Sequence, residues 1–214
     1  MVPQTVIDAQ VADLLVGVAD GDDLSDDQVI LLNYALRASA SALDVEGARH
    51  WQQQAISAGI TAQQLHEVVT LMSSSGFHTF FEASRDLASL SDPTPTVGTL
   101  DAQRRALWER YVANRTYWDA MESEIEGFLI SLLHMSPEAF EACLSYAALP
   151  FQSRHVPAVT KELIGMAADA CPAHQYLPGM RMHLRNAVAM GAGRRAIEHA
   201  IQVAAASPVH VGVV

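Results

Sequence analysis

Lys161-Glu-Leu-Ile-Gly-Met-Ala-Ala-Asp-Ala-Cys-Pro-Ala-His-Gln-Tyr-Leu-Pro-Gly-Met-Arg-Met-His183 holds the densest set of reactive side chains in the chain. Glu162, Cys171, His174, Tyr176, Arg181 and His183 gather there around one break between two apolar helices. Such a break lets a few polar groups meet inside a mostly apolar pocket. A carboxylate, two imidazoles and a phenol are proton-transfer groups, and a guanidinium grips a carboxylate through a two-pronged hydrogen bond. His183 borders the apolar face formed by Met180, Leu184, Ala187 and Gly191, where an imidazole sits half-buried with a shifted pKa. Glu162 lies in an alanine-rich helix, where burial is costly without a partner, so it reads either as a proton relay to a histidine or as half of an ion pair. His174 and Tyr176 fall in the turn through which a ligand would enter. Arg181 either binds a substrate carboxylate or ties helix to helix. Cys171 reads as a small buried residue. His174, His183 and Glu162 match no helical zinc-binding spacing, and no strand precedes Gly191-Ala-Gly193, so neither a metal nor a nucleotide cofactor is expected.

The surrounding elements are helical throughout. Apolar residues recur every three or four positions from Val6 to Val18, from Val29 to Leu43, from Ala48 to Ala58, and from Thr61 through Leu71 towards Leu90. Ser25 and Thr61 are start signals, and Gly59 and Gly191 are stops. Residues 91–99, Ser-Asp-Pro-Thr-Pro-Thr-Val-Gly-Thr, have a linker's composition. Beyond them Leu107 to Leu133 reads as helical, with Trp108, Tyr111, Tyr117, Trp118 and Phe128 as a packing stripe. A helix opened by Ser136-Pro137 ends near Pro150, Phe151 to His155 is a loop, and further helices run from Gly179 to Met190 and from Arg194 to about Ser207. No strand pattern occurs.

Sliding the chain on itself by 132 residues, without a gap, superposes Leu31 on Leu163, Ala35 on Ala167, Gly47 on Gly179, Arg49 on Arg181, Gly59 on Gly191 and His78 on His210. Nine of the 48 positions from 31 to 78 are identical. The expected fold is therefore all-α, a tandem duplication: a first repeat in residues 1–90, a linker at 91–99, and a second repeat in 100–214 that carries the site. Glu162, Cys171, His174, Tyr176 and His183 fall opposite Ile30, Ser39, Ala42, Asp44 and Trp51, so the first copy reads as a non-catalytic wall. His210 is a candidate substrate contact, although its recurrence as His78 favours a role shared by both copies. The bland reading is that both copies are scaffold.

Composition limits the partners. Half of the 214 residues are hydrophobic and 17% are charged, which argues for a packed chain rather than disorder. A net charge of −11 argues against nucleic acid or an anionic membrane as partner. Two distant cysteines, an N-terminus without a signal-peptide pattern and no bilayer-length apolar run lead us to expect a cytoplasmic protein.

Lys-Glu-Leu-Ile, the alanine-rich helix, Cys-x-x-His, Pro-Gly-x-Arg-x-His and a Gly-Ala eight residues on resemble the carboxymuconolactone decarboxylase and alkylhydroperoxidase D superfamily. The likeness covers roughly residues 22 to 82 and 137 to 212, most clearly the second stretch. It implies an all-α fold of repeated modules and a homo-oligomer, trimer or hexamer. The peroxidase branch relays through a glutamate, a C-x-x-C and a histidine. Glu162 and His183 match the first and last, but the cysteine positions fall on His174 or on Tyr176 and Gly179. The decarboxylase branch, which lacks the dithiol and carries an Arg-x-His element, is the better match. It implies a cofactor-free acid/base enzyme acting on a small carboxylated lactone or keto acid. Arg181 would hold the carboxylate, and His183, His174 or Tyr176 would protonate the enolate left by carbon dioxide. An alkylhydroperoxidase-like redox protein and a non-catalytic helical oligomer or binding module are the alternatives.

Overall fold

The structure, a computed structural model, describes residues 1–90, 95–113 and 115–213. Along the chain run α1 (Gln4–Leu14), α2 (Asp26–Ala38), α3 (Val45–Ser57), α4 (Ala62–Ser73), α5 (His78–Ala88), α6 (Ala102–Tyr111), α7 (Thr116–Glu124), α8 (Phe128–Met135), α9 (Pro137–Gln152), α10 (Ala158–Ala170), α11 (Leu177–Ala189) and α12 (Arg194–Ala205). Among the described residues there is no strand, and no helix is long and apolar enough to cross a membrane. The fold is all-α, as the periodicity predicts.

Two compact units divide the chain: Met1–Ser75 with Pro150–Val214, and Gly76–Leu149. The first holds α1 to α4 and α10 to α12, and its core is built from the apolar faces of those helices. α10 is its central element: every residue from Thr160 to Ala170 is buried, which suits a helix apolar nearly all round. α10 packs against α11, α12, α2 and α4, while α1 covers α11.

The 132-residue displacement seen in the sequence relates the helix ends themselves. Adding 132 to the bounds of α2, α3 and α4 returns the bounds of α10, α11 and α12. Among the described residues, Leu43 and Gln175, also 132 apart, are the non-glycine residues with positive φ, at 46° and 55°. The packing is reciprocal as well: α2 lies against α12 and α10 against α4. Gln28 Nε2 donates to Thr160 Oγ1 at 3.1 Å, joining two residues that occupy the same position in the two triplets. A residue that meets its own counterpart lies on a two-fold axis, here an approximate one.

Ser25 and Thr61 cap α2 and α4 with reciprocal capping boxes to Gln28 and Gln64. Glu67 of α4 and Lys161 of α10, both buried, form an ion pair at 2.6 Å. Lys161 also donates to the Pro150 and Ser153 carbonyls, while Glu67 accepts from the Ser153 hydroxyl and the backbone N–H of His155 and Val156. Burial works against the Glu67 charge, but Lys161 and these donors outweigh it and hold the carboxyl below its usual range. The pair fixes the segment that leads into α10.

In the second unit the stretch read as one helix from Leu107 to Leu133 is divided among α6, α7 and α8. Gly127, at φ 79°, makes the turn before α8, a backbone conformation that glycine adopts without a Cβ penalty. Trp118 and Phe81 pack on Phe128, with ring centroids 6.4 and 4.6 Å away, so these aromatics belong to the core. α9 runs through Pro150 to Gln152, two residues past the expected stop. Of the linker read at residues 91–99, positions 91–94 lie outside the described residues, and Val97–Thr99 forms a short 3-10 turn.

Candidate active site

Glu162 and Asp169 stand seven residues apart on α10, two turns along one face. α11 crosses this face and lays the His183 ring between them. His183 Nδ1 meets Glu162 Oε2 at 2.7 Å, and its Nε2 lies 4.0 Å from Asp169 Oδ2. On the far side Asp169 Oδ1 is 3.5 Å from His174 Nε2, in the turn between α10 and α11. Asn186, one turn beyond His183, donates to Glu162 Oε2 at 3.3 Å.

Two missing Cβ atoms permit this approach. A Cβ on Gly165, between the carboxylates on α10, would stand 2.8 Å from His183 Nε2. A Cβ on Gly179, in the first turn of α11, would collide with Asp169 Oδ2. The imidazole therefore lies directly on the α10 backbone, and the Asp169 carboxyl passes beneath the start of α11.

Burial sets the electrostatics. The Glu162 and Asp169 side chains are 1% and 3% exposed, against 13% for His183 and 21% for His174. Burial pushes the Asp169 carboxyl up to about 7, and the His183 charge pulls it only partly back. For His183 burial opposes the charge, but the hydrogen bond to Glu162 and the two neighbouring carboxyls outweigh it and raise its pKa. Burial lowers that of His174. Glu162 Oε1 is buried and has no hydrogen-bond partner among the described residues. An imidazole flanked by two carboxyls, one of them raised to about 7, is an arrangement that can take up and release protons.

The structure brings together Glu162, His183 and His174. Tyr176 lies beside them in the turn, its ring 6.3 Å from that of His174. Arg181 points elsewhere: its guanidinium donates to Gln10 of α1 at 3.1 Å. This follows from helix geometry, since residues two apart project to different sides. His210 lies in the C-terminal tail with Nδ1 2.9 Å from the Ser41 carbonyl, in the turn after α2. Cys171 is buried at the end of α10, and burial raises its thiol pKa; Cys143 is buried too, its thiol pushed up to about 12.

Sequence reading missed Asp169, Asn186 and the two close-approach glycines. The signal for Asp169 was present: a second carboxylate in an alanine-rich helix, two turns after Glu162. Gly165, midway between them, marked the face that another helix could approach.

No protein-family model matches the chain, and no curated protein does. A solved structure described as a putative γ-carboxymuconolactone decarboxylase subunit, from Burkholderia xenovorans LB400, matches it with a TM-score of 0.74 and 27% identity. The match covers 85% of this chain and 71% of that one. The chain has the fold of the carboxymuconolactone decarboxylase-like superfamily. Within this carboxymuconolactone decarboxylase-like fold, the Glu162–His183 pair joins the two helices that resemble the superfamily motif most closely in sequence.

Proposed function

We propose that this protein is a cofactor-free acid/base enzyme that moves protons on a small carbonyl compound, decarboxylating or isomerising a carboxylated lactone or keto acid. The observation that carries the reading is the buried Glu162–His183 contact of 2.7 Å with Asp169 across the same ring. Glu162 orients the imidazole through Nδ1, which directs Nε2 towards the turn that bears His174 and Tyr176. As an imidazolium, His183 supplies the cation in this cluster, able to draw in an acidic substrate and to protonate an enolate as it forms. Arg181, engaged with Gln10, serves in this reading as a tie between α11 and α1. The first copy is a non-catalytic partner: at the positions of Glu162 and His183 it carries Ile30 and Trp51, which cannot titrate. The two buried thiols, neither near a second cysteine in the chain, argue against the thiol-redox alternative.

A screen against small carboxylated lactones and keto acids, read by proton NMR, tests the proposal. His183→Gln is expected to keep the fold and to lower kcat by about 10²–10⁴-fold, with a smaller effect on KM. Turnover by His183→Gln equal to that of the wild type would remove His183 from the chemistry. A wild type inert towards the whole class would leave the non-catalytic module as the better reading.

A further inference from the structure

The two helix triplets fill equivalent sites with different chemistry. In the first, Arg37 of α2 faces Asp44, Nε to Oδ2 at 3.6 Å, and its guanidinium carbon lies 5.8 Å from the Trp51 ring centroid. A Cβ on Gly47 would collide with Asp44 Oδ2. In the second, Asp169 takes the position of Arg37, His183 that of Trp51 and Gly179 that of Gly47, and Gly179 again leaves room for a carboxylate oxygen. A guanidinium that never releases its proton and an indole that never accepts one are thus replaced by a carboxyl and an imidazole. A carboxylate kept only for structure is best held by a permanent cation, as Arg37 holds the partly buried Asp44. Asp169 instead stands between two imidazoles, 4.0 Å from Nε2 of His183 and 3.5 Å from Nε2 of His174.

Deepening the acid/base reading above, on which it rests, we propose that Asp169 is a positioning residue that relays protons between His183 and His174, linking the buried Glu162–His183 pair to the partly exposed turn. The protonated carboxyl gives its proton from Oδ1 to neutral His174 Nε2, which leaves a carboxylate and an imidazolium. The carboxylate then takes the Nε2 proton of charged His183 on Oδ2. His183 becomes neutral, its Nδ1 proton still shared with Glu162, and one proton has moved from His183 to His174. Both gaps exceed a hydrogen bond, as contacts between acid/base groups do before substrate draws them together. Run in reverse, from His174 through Asp169, the same steps return a proton to His183 after each turnover without opening the α10–α11 contact to water.

The relay is testable without a substrate. In protein labelled with nitrogen-15 at histidine, NMR at pH 7 reads how fast the His183 Nε2 proton exchanges with water. Asp169→Asn keeps the shape but cannot pass a proton on, and is expected to slow that exchange by about 10²-fold. The Nδ1 proton shared with Glu162 should keep its chemical shift. His174→Gln, at the outer end, should slow the same exchange. A purely structural Asp169 predicts the opposite sign, because loosened packing lets water in and speeds exchange. Unchanged or faster exchange in folded Asp169→Asn overturns the proposal. So does unchanged exchange in His174→Gln, which decides the matter if Asp169→Asn does not fold. Failure of the substrate screen would sink the enzyme reading and leave this measurement intact.

Discussion

Asp169 gives the residue scale its sharpest consequence, because a carboxyl raised by burial ties stability to pH with a definite sign. Its ordinary pKa is 3.8 and its folded value about 7. The folded state therefore binds the proton more tightly than the unfolded chain does. That contribution is complete below about pH 4 and is lost as pH rises through about 7. Asparagine at 169 cannot ionise, so Asp169→Asn should gain stability relative to the wild type across this window. The full shift corresponds to about 4 kcal/mol as an upper bound. Paired thermal melts at intervals from pH 4 to pH 8 measure the difference directly, and carboxylates common to both proteins cancel. A difference independent of pH would show that the Asp169 carboxyl is not raised. His183 and His174, one on each side, bear on this titration.

At the scale of the element, the site depends on how closely two helices approach. α10 presents Glu162, Gly165 and Asp169 along one face, and the His183 ring of α11 occupies the space over Gly165. Alanine there would set a methyl against the imidazole and force α11 outwards, since a packed core has no slack for an added carbon. Gly165→Ala should cost about 1–3 kcal/mol and weaken the Glu162–His183 hydrogen bond. Chemical denaturation gives the first quantity, and the shift of the His183 Nδ1 proton the second. Gly76→Ala is the control, because a Cβ there meets nothing within 4 Å. Equal stability of the two variants would mean that α10 and α11 are not held at this distance. The Lys161–Glu67 pair serves the same end from the other side, by fixing the segment before α10 and hence the axial position of Glu162.

At the scale of the whole molecule, the proposed duplication explains why a buried acid/base cluster can exist in a chain this size. The first triplet supplies packing, and the second is free to spend stability on function. Trp51 is the clearest case: half-buried beside Arg37, it packs against the common core where its counterpart His183 titrates. Trp51→Ala should lower stability by about 2 kcal/mol, below the 3–5 kcal/mol of a fully buried ring, and leave turnover of any substrate found unchanged. Loss of activity in a folded Trp51→Ala protein would show that the first triplet takes part in the chemistry.

The sequence alone determined the features that are local or periodic. The all-α class, most helix starts and stops, and the 132-residue displacement follow from apolar spacing, capping residues and glycines, each of which acts within a few residues of its own position. The lack of a dithiol near Glu162 was legible for the same reason. Tertiary structure decided the rest. Glu162 and His183 are 21 residues apart in the chain, and only the crossing of α10 and α11 over Gly165 brings them within 2.7 Å. Asp169 passed unread because one carboxylate in an alanine-rich helix looks the same whether it faces water or a buried imidazole. Arg181 and His210 turned to Gln10 and Ser41 because α1 and the turn after α2 lie within their reach, and no pattern in their own neighbourhoods records that proximity.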